Sequence, residues 1–153
     1  MKVIATPGSR GFTLVELVMV IILIGVLSAV GVGLFASRSA FSPLLATQQL
    51  ASATLLAQQA ALAGNPANTL TIEQNADKFR FIVGGGSGNP RTFELSREGA
   101  SLSVAGGLPL TLVFDAKGAP TTGVSLQFTF SGDSRFRTCL SSLGAVYAGS
   151  CQS

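Results

Sequence analysis

From Phe12 to Phe35 the chain runs for 24 residues with one ionisable side chain, Glu16, and no other feature of the 153-residue sequence restricts its architecture as much. Wound as a single helix, the run measures roughly 36 Å, more than the ~30 Å hydrocarbon core of a bilayer. It reads as a membrane-spanning helix. A carboxylate inside such a segment costs about 2–3 kcal/mol or more unless it finds a partner, so Glu16 is a functional candidate by default. The simpler reading is a carboxylate that snorkels to the interface, since it lies only about 6 Å from the helix start.

The remaining sequence reads as one modest globular domain. Hydrophobic residues make up 47% of the chain and mean hydropathy is +0.51, but that weight sits mainly in the first 35 residues. The formal charge of +3 is partly a property of the N-terminus: without Lys2 and Arg10, eight basic residues face seven acidic ones. That is no polyanion-binding signature. Histidine and tryptophan are absent. Ser–His–Asp and Cys–His sites are therefore impossible, and zinc would have only two cysteines and scattered carboxylates as ligands. These counts argue against an enzyme; no cofactor, metal or small-molecule substrate is expected.

The leader "MKVIATPGSRG" is short, basic and interrupted by Pro7 and Gly8, and the apolar core follows its glycine. A secretory signal has the cleavage site after the core, so any cut at Gly11 leaves the helix on the mature chain. On hydropathy alone an uncleaved anchor, held by Lys2 and Arg10 on the inner side, fits equally well.

The residues "GFTLVE", Gly11 to Glu16, resemble the processing site of type IV pilins and type II secretion pseudopilins: a basic leader ending in glycine, phenylalanine, a Thr-Leu-x-Glu run and about twenty apolar residues. The resemblance implies that a membrane-embedded prepilin peptidase cuts between Gly11 and Phe12 and that the new Phe12 amine is methylated. It implies further that Glu16 pairs with the N-terminal amine of a neighbouring subunit during filament assembly. The physics agrees, because carboxylate and ammonium, each costly in an apolar bundle, neutralise one another only in register. Gly25, Gly31 and Gly33, with Ser28 and Ala29, would let such helices approach closely. Many relatives carry a proline where this chain has Gly33, which makes the segment softer and less sharply bent.

After Phe35, "ASRSAFSPLLATQQLASATLLAQQAALAG" is rich in helix formers. Ser42–Pro43 predicts a break and restart, with serine as cap. Leu44, Ala51, Leu55 and Leu62, with Leu45 and Leu56 beside them, form the stripe expected to pack on a sheet. Gly64–Asn65–Pro66 is a stop signal. Beyond residue 68 the period changes to two, and Lys78–Val83, Thr92–Ser96, Leu110–Phe114 and Val124–Phe130 read as strands. Gly84–Arg91 is a hairpin loop and not a phosphate loop, since no helix and no Lys-Ser/Thr pair follow. Phe114–Pro120 joins the next strand pair. Its Asp115 could bind calcium, as an acidic loop does in some major pseudopilins, but calcium takes six to eight oxygens and only Asp133 offers a second carboxylate.

The expected fold class is α+β: a long N-terminal helix, membrane-spanning in its first half and amphipathic in its second, packed on an antiparallel β-sheet head. The expected divisions are a cleaved leader (1–11), a membrane and filament-core helix (12–35), an amphipathic helix (36–64) and a β-rich head (65–153). A head delivered across the inner membrane of a Gram-negative cell meets an oxidising compartment, where Cys139 and Cys151 would form a disulfide; free thiols and a metal pair are the alternatives. Closing eleven residues would stabilise the head by about 2–3 kcal/mol. In pilins, which the chain resembles, such a disulfide-bounded region often lies at the subunit surface, and Tyr147, inside that loop, is the residue to test for contact.

The order of the head resembles the H-type pseudopilins, with Phe114 to Gly118 as a turn, Val124 to Phe130 as a long strand and Arg135 to Tyr147 as the closing segment. The first 65 residues resemble minor pilins of mannose-sensitive haemagglutinin (MSHA) pili. A minor pilin is the leading expectation, with a type II secretion pseudopilin as the rival. A DNA-uptake pilin comes third, since Arg135 and Arg137 alone form a weak electrostatic footprint. The implied partners are the prepilin peptidase, other pilins or pseudopilins, the inner-membrane assembly platform and the membrane, then a pilus or pseudopilus.

Overall fold

The computed structural model of the protein describes residues 12–35 and 38–152, with side chains left aside over 32–41. The chain divides into two compact units between Ser37 and Arg38. The first holds helix α1 (Leu14–Phe35). The second holds helix α2 (Arg38–Leu62) and strands β1 (Thr69–Gln74), β2 (Lys78–Val83), β3 (Arg91–Ser96), β4 (Ser101–Ser103), β5 (Leu110–Val113), β6 (Leu126–Ser131), β7 (Arg135–Leu140) and β8 (Val146–Ala148). This is the α+β class expected from the sequence. The continuity of α1 into α2 falls on residues 36–37, outside the described residues.

The head contains two four-stranded antiparallel sheets, ordered β3-β2-β1-β5 and β4-β6-β7-β8. Alternation explains which faces meet. In β2, Phe79, Phe81 and Val83 are buried while Lys78 is exposed. In β6, Leu126, Phe128 and Phe130 are buried. The two inner faces meet edge to face at Phe79 and Phe130, with ring centroids 5.7 Å apart. Helix α2 covers both sheets and completes one core with Leu70, Ile72, Leu112 and Phe114.

The helix does so with a different stripe from the one the leucines predict. Its buried stripe is Ala46, Leu50, Ala53, Ala57 and Ala61, at helical spacing, together with Thr54 and, near its start, Ser42 and Pro43. Leu55 and Leu62 are 53% and 61% exposed, and Leu44 and Leu45 are exposed as well. The physical reason is volume. Five buried phenylalanines on the strands and their connections fill much of the interior, so the helix approaches mainly through small side chains, with Leu50 as its one large apolar contact in this stripe.

The Ser42–Pro43 expectation is also corrected. Helix α2 is already under way at Arg38, and Pro43 lies inside it. Ser42 caps nothing; its hydroxyl donates to the carbonyls of Ser96 and Arg97, both at 3.0 Å, and pins the helix to the end of β3. The stop signal works as read. Gly64 has φ +67°, its N–H donates to Ala61 O at 3.0 Å, and Asn65 N–H donates to Ala60 O at 2.8 Å, a Schellman closure.

Phe114–Pro120 does not connect paired strands. It closes on itself as a Phe114–Pro120 bridge and carries the chain from the first sheet to the second. Asp115 holds this turn, its Oδ1 accepting from Lys117 N and Ala119 N, each at 2.9 Å. The Ala119 and Lys117 amides keep the Asp115 carboxyl below the usual carboxylate range. A carboxyl whose folded value is depressed stabilises the fold fully above its unfolded value, and that contribution disappears as pH falls through the folded one. Urea midpoints measured from pH 6 to pH 2 are therefore expected to fall less steeply below about pH 4 in Asp115→Asn than in the native chain. Equal slopes would show that the turn does not depend on the charge.

Candidate functional site

Helix α1 begins with a cap that the sequence reading overlooked. Thr13 precedes the first helical residue, its Oγ1 accepts from Glu16 N at 3.2 Å, and its carbonyl accepts from Leu17 N at 3.1 Å. Thr13 is thus the N-cap and Glu16 the third helical residue, the T-x-x-E spacing of a capping box. The signal lay in plain view in "TLVE". A carboxylate in the first turn also faces the positive end of the helix dipole, worth about 0.3–1 kcal/mol. Glu16 therefore occupies a first-turn position that favours a carboxylate, apart from the role implied by resemblance.

Beyond Glu16 the helix is apolar on every side. Residues Leu14–Gly31 have a mean hydropathy of 2.7, and none of this stretch is buried within the structure. Its 22 residues measure about 33 Å, long and apolar enough to cross a bilayer. Phe12 is 78% exposed just ahead of the cap. Side chains added at Gly25 and Gly31 would meet nothing within 4 Å, so the space left at these positions is open to a neighbouring molecule. Gly11 and the rest of the leader lie outside the described residues.

At the other end of the chain, Cys139 and Cys151 form a disulfide, with Cα atoms 5.0 Å apart. Cys139 is fully buried on β7, and the bond ties the C-terminal tail to that strand. Gln127 of β6 holds that tail: its Oε1 accepts from Cys151 N at 2.8 Å, and its Nε2 donates to Gly149 O at 3.2 Å. Tyr147, expected as a surface contact, is half-buried on β8, and its hydroxyl accepts from Gln152 N at 3.0 Å. It serves the tail. The segment from Arg135 to Tyr147, expected as one closing stretch, folds as the β7–β8 hairpin.

Arg135 and Arg137 are exposed on β7, and Arg137 Nη1 reaches Ser150 Oγ at 3.3 Å. Among the described residues no group of three or more His, Cys, Asp or Glu side chains is placed to hold a metal ion. Both N–H bonds to Asp115 fall on the same oxygen, Oδ1.

The functional weight thus rests on the N-terminal helix. Residues 7–32 match the family described as the prokaryotic N-terminal methylation motif. No curated protein and no solved structure matches the chain. The motif implies processing by a prepilin peptidase and assembly with other pilins in a membrane, and it accords with a structural protein. With its apolar helix, its α+β head and its disulfide, the chain carries the N-terminal methylation motif over residues 7–32 in a form consistent with the type IV pilin and pseudopilin family.

Proposed function

We propose that the chain is a minor pilin of an MSHA-like type IV pilus, incorporated into the filament or priming its assembly. The single observation that carries this reading is a capped helix, apolar but for Glu16 and Ser28, that begins within a methylation motif and precedes an α+β head. In this reading the peptidase removes residues 1–11, Phe12 becomes the methylated N-terminus, and residues 12–35 span the inner membrane with the head in the periplasm. Residues 36–64 then cover the head formed by residues 65–153. On extraction by the assembly platform, Glu16 meets the amine of a neighbouring subunit, and the helices pack at their small residues.

The same helix would serve an H-type pseudopilin of type II secretion. A clean deletion strain, scored for surface pili and for secreted exoproteins side by side, separates the two. Loss of pili with intact secretion is the expected result. Intact pili with exoproteins trapped in the periplasm would assign the chain to the secretion machine instead.

A further inference from the structure

A cavity of about 600 Å³ opens where the end of α2, the α2–β1 connection and the β2–β3 loop meet. Leu56, Pro66 and Val83 give it an apolar lining, while Gln59, Asn65, Asn89 and Arg91 contribute the long polar side chains. Among the described residues its only charged lining residue is Arg91, and none of those lining it is a carboxylate.

Asn65, Gly88, Asn89 and Arg91 are exposed on its rim, and three features set what they could bind. Lys78 and Arg80, the other cations in the strands of this sheet, are paired with Glu94 and Glu73, whereas the Arg91 guanidinium has no ion pair among the described residues. The N–H groups of Gly88 and Asn89 likewise donate to nothing among the described residues. Asn65 spends its Oδ1 on Ala67 N at 2.9 Å, which leaves its NH2 group as a donor. The helix end nearby would repel an anion, but the Schellman bonds at Ala60 and Ala61 already occupy its carbonyls. The rim thus offers donors that face solvent and no protein acceptor, carries one planar cation suited to bidentate contact, and has an apolar wall beside them.

We propose that this cavity binds a carboxylate group borne on a short apolar stem, with Arg91 as its anchor and the Gly88, Asn89 and Asn65 N–H groups as flanking donors. Such a group is available from an acidic side chain of another polypeptide or from a free organic acid. The proposal does not depend on which filament hosts the chain.

The test uses the full-length, 15N-labelled chain in detergent micelles. It is titrated separately with succinate, with acetyl-Ala-Glu-Ala-amide and with the neutral acetyl-Ala-Gln-Ala-amide. Saturating amide shifts at Asn65, Gly88 and Asn89 are expected with the two carboxylates, in the millimolar range or tighter, and at least about tenfold weaker binding with the glutamine peptide. Tighter binding of the peptide identifies a polypeptide source, and tighter binding of succinate a free acid. Arg91→Gln is expected to weaken both by about tenfold or more while the Phe79 and Phe130 resonances stay in place. Three results would overturn the proposal: no saturating shift with either carboxylate, equal binding of the glutamine peptide, or shifts that map to Arg135 and Arg137 instead. The first two need no variant, so they decide the matter even if Arg91→Gln does not fold.

Discussion

Glu16→Gln is expected to be cleaved between Gly11 and Phe12 like the native chain and to accumulate in the membrane, yet to enter filaments at least about a hundredfold less. Glutamine is the informative substitution because Glu16 has two separable tasks. As the third helical residue after Thr13 it holds the capping-box position, where glutamine serves nearly as well as glutamate. As a proposed partner for a neighbour's N-terminal ammonium it must carry charge, and glutamine does not. Leaving an ammonium uncompensated in an apolar bundle costs about 3–5 kcal/mol. At about 1.4 kcal/mol per factor of ten, the lower figure already gives the hundredfold loss. Glu16→Ala removes both tasks and cannot tell them apart. The measurement compares sheared filaments with membrane fractions by immunoblot, with mass spectrometry of the mature N-terminus to establish cleavage and methylation. If Glu16→Gln assembles like the native chain and only Glu16→Ala fails, the carboxylate is a helix cap and the latch is wrong.

How much of this was legible in the sequence depended on how local the determining physics is. The span of α1, the stop at Gly64 and the strand at Lys78–Val83 follow from contiguous residues and stand as read. The first-sheet strand Thr69–Gln74 was missed because it offers only Leu70 and Ile72 to the core. What fixes it is pairing with Val83 to Phe79 on one side and with Val113 to Leu110 on the other. The leucine stripe of α2 was misassigned for a related reason. Hydrophobicity alone favours Leu55 over Ala53 for the core, but the phenylalanines of distant strands leave room mostly for alanine on that face, with Leu50 the exception. The division into two sheets, with Phe114–Pro120 crossing between them, depends on long-range register that no window of sequence contains. In the proposed functional segment the sequence carried nearly everything, including the Thr13 cap, which needed only the spacing from Thr13 to Glu16 to be noticed. The cavity beside Arg91 was invisible, since its walls come from residues 56 to 91 in three separate elements.

Gly144→Ala is expected to destabilise the head by roughly 3 kcal/mol or more, although it adds one carbon to a turn of the second sheet. Gly144 closes the connection between β7 and β8, its N–H donating to Ser141 O at 3.0 Å, and it holds φ +94°. An L-residue with a side chain pays about 1–2 kcal/mol for such a conformation. Space adds to that penalty. The new Cβ would collide with the backbone oxygen of Gly118 and lie 2.7 Å from Nε2 of Gln58, and the Gly118 oxygen belongs to a turn that cannot swing aside as a flexible side chain can. The crowding exists because Gln58 of α2 reaches between two turns, donating to Gly118 O at 2.8 Å and also to Gly144 O. One amide thus ties the helix to the crossover between the sheets and to the disulfide-bearing hairpin. Pushing the turns apart breaks one or both bonds and strands buried acceptors, about 1–3 kcal/mol more. Gln58→Ala removes the same bonds and leaves both turns unstrained, so it should cost less than Gly144→Ala, by about the conformational penalty. Against a total of about 5–15 kcal/mol for a domain of this kind, the glycine variant loses a large share of its stability. Urea unfolding of both variants, and of the pair combined, measures this. The combined loss should fall short of the sum, because removing the Gln58 amide relieves one of the two collisions. A Gly144→Ala chain within 1 kcal/mol of native would mean that the β7–β8 turn is not held against the crossover, and that the second sheet keeps its place on α2 through its apolar face alone.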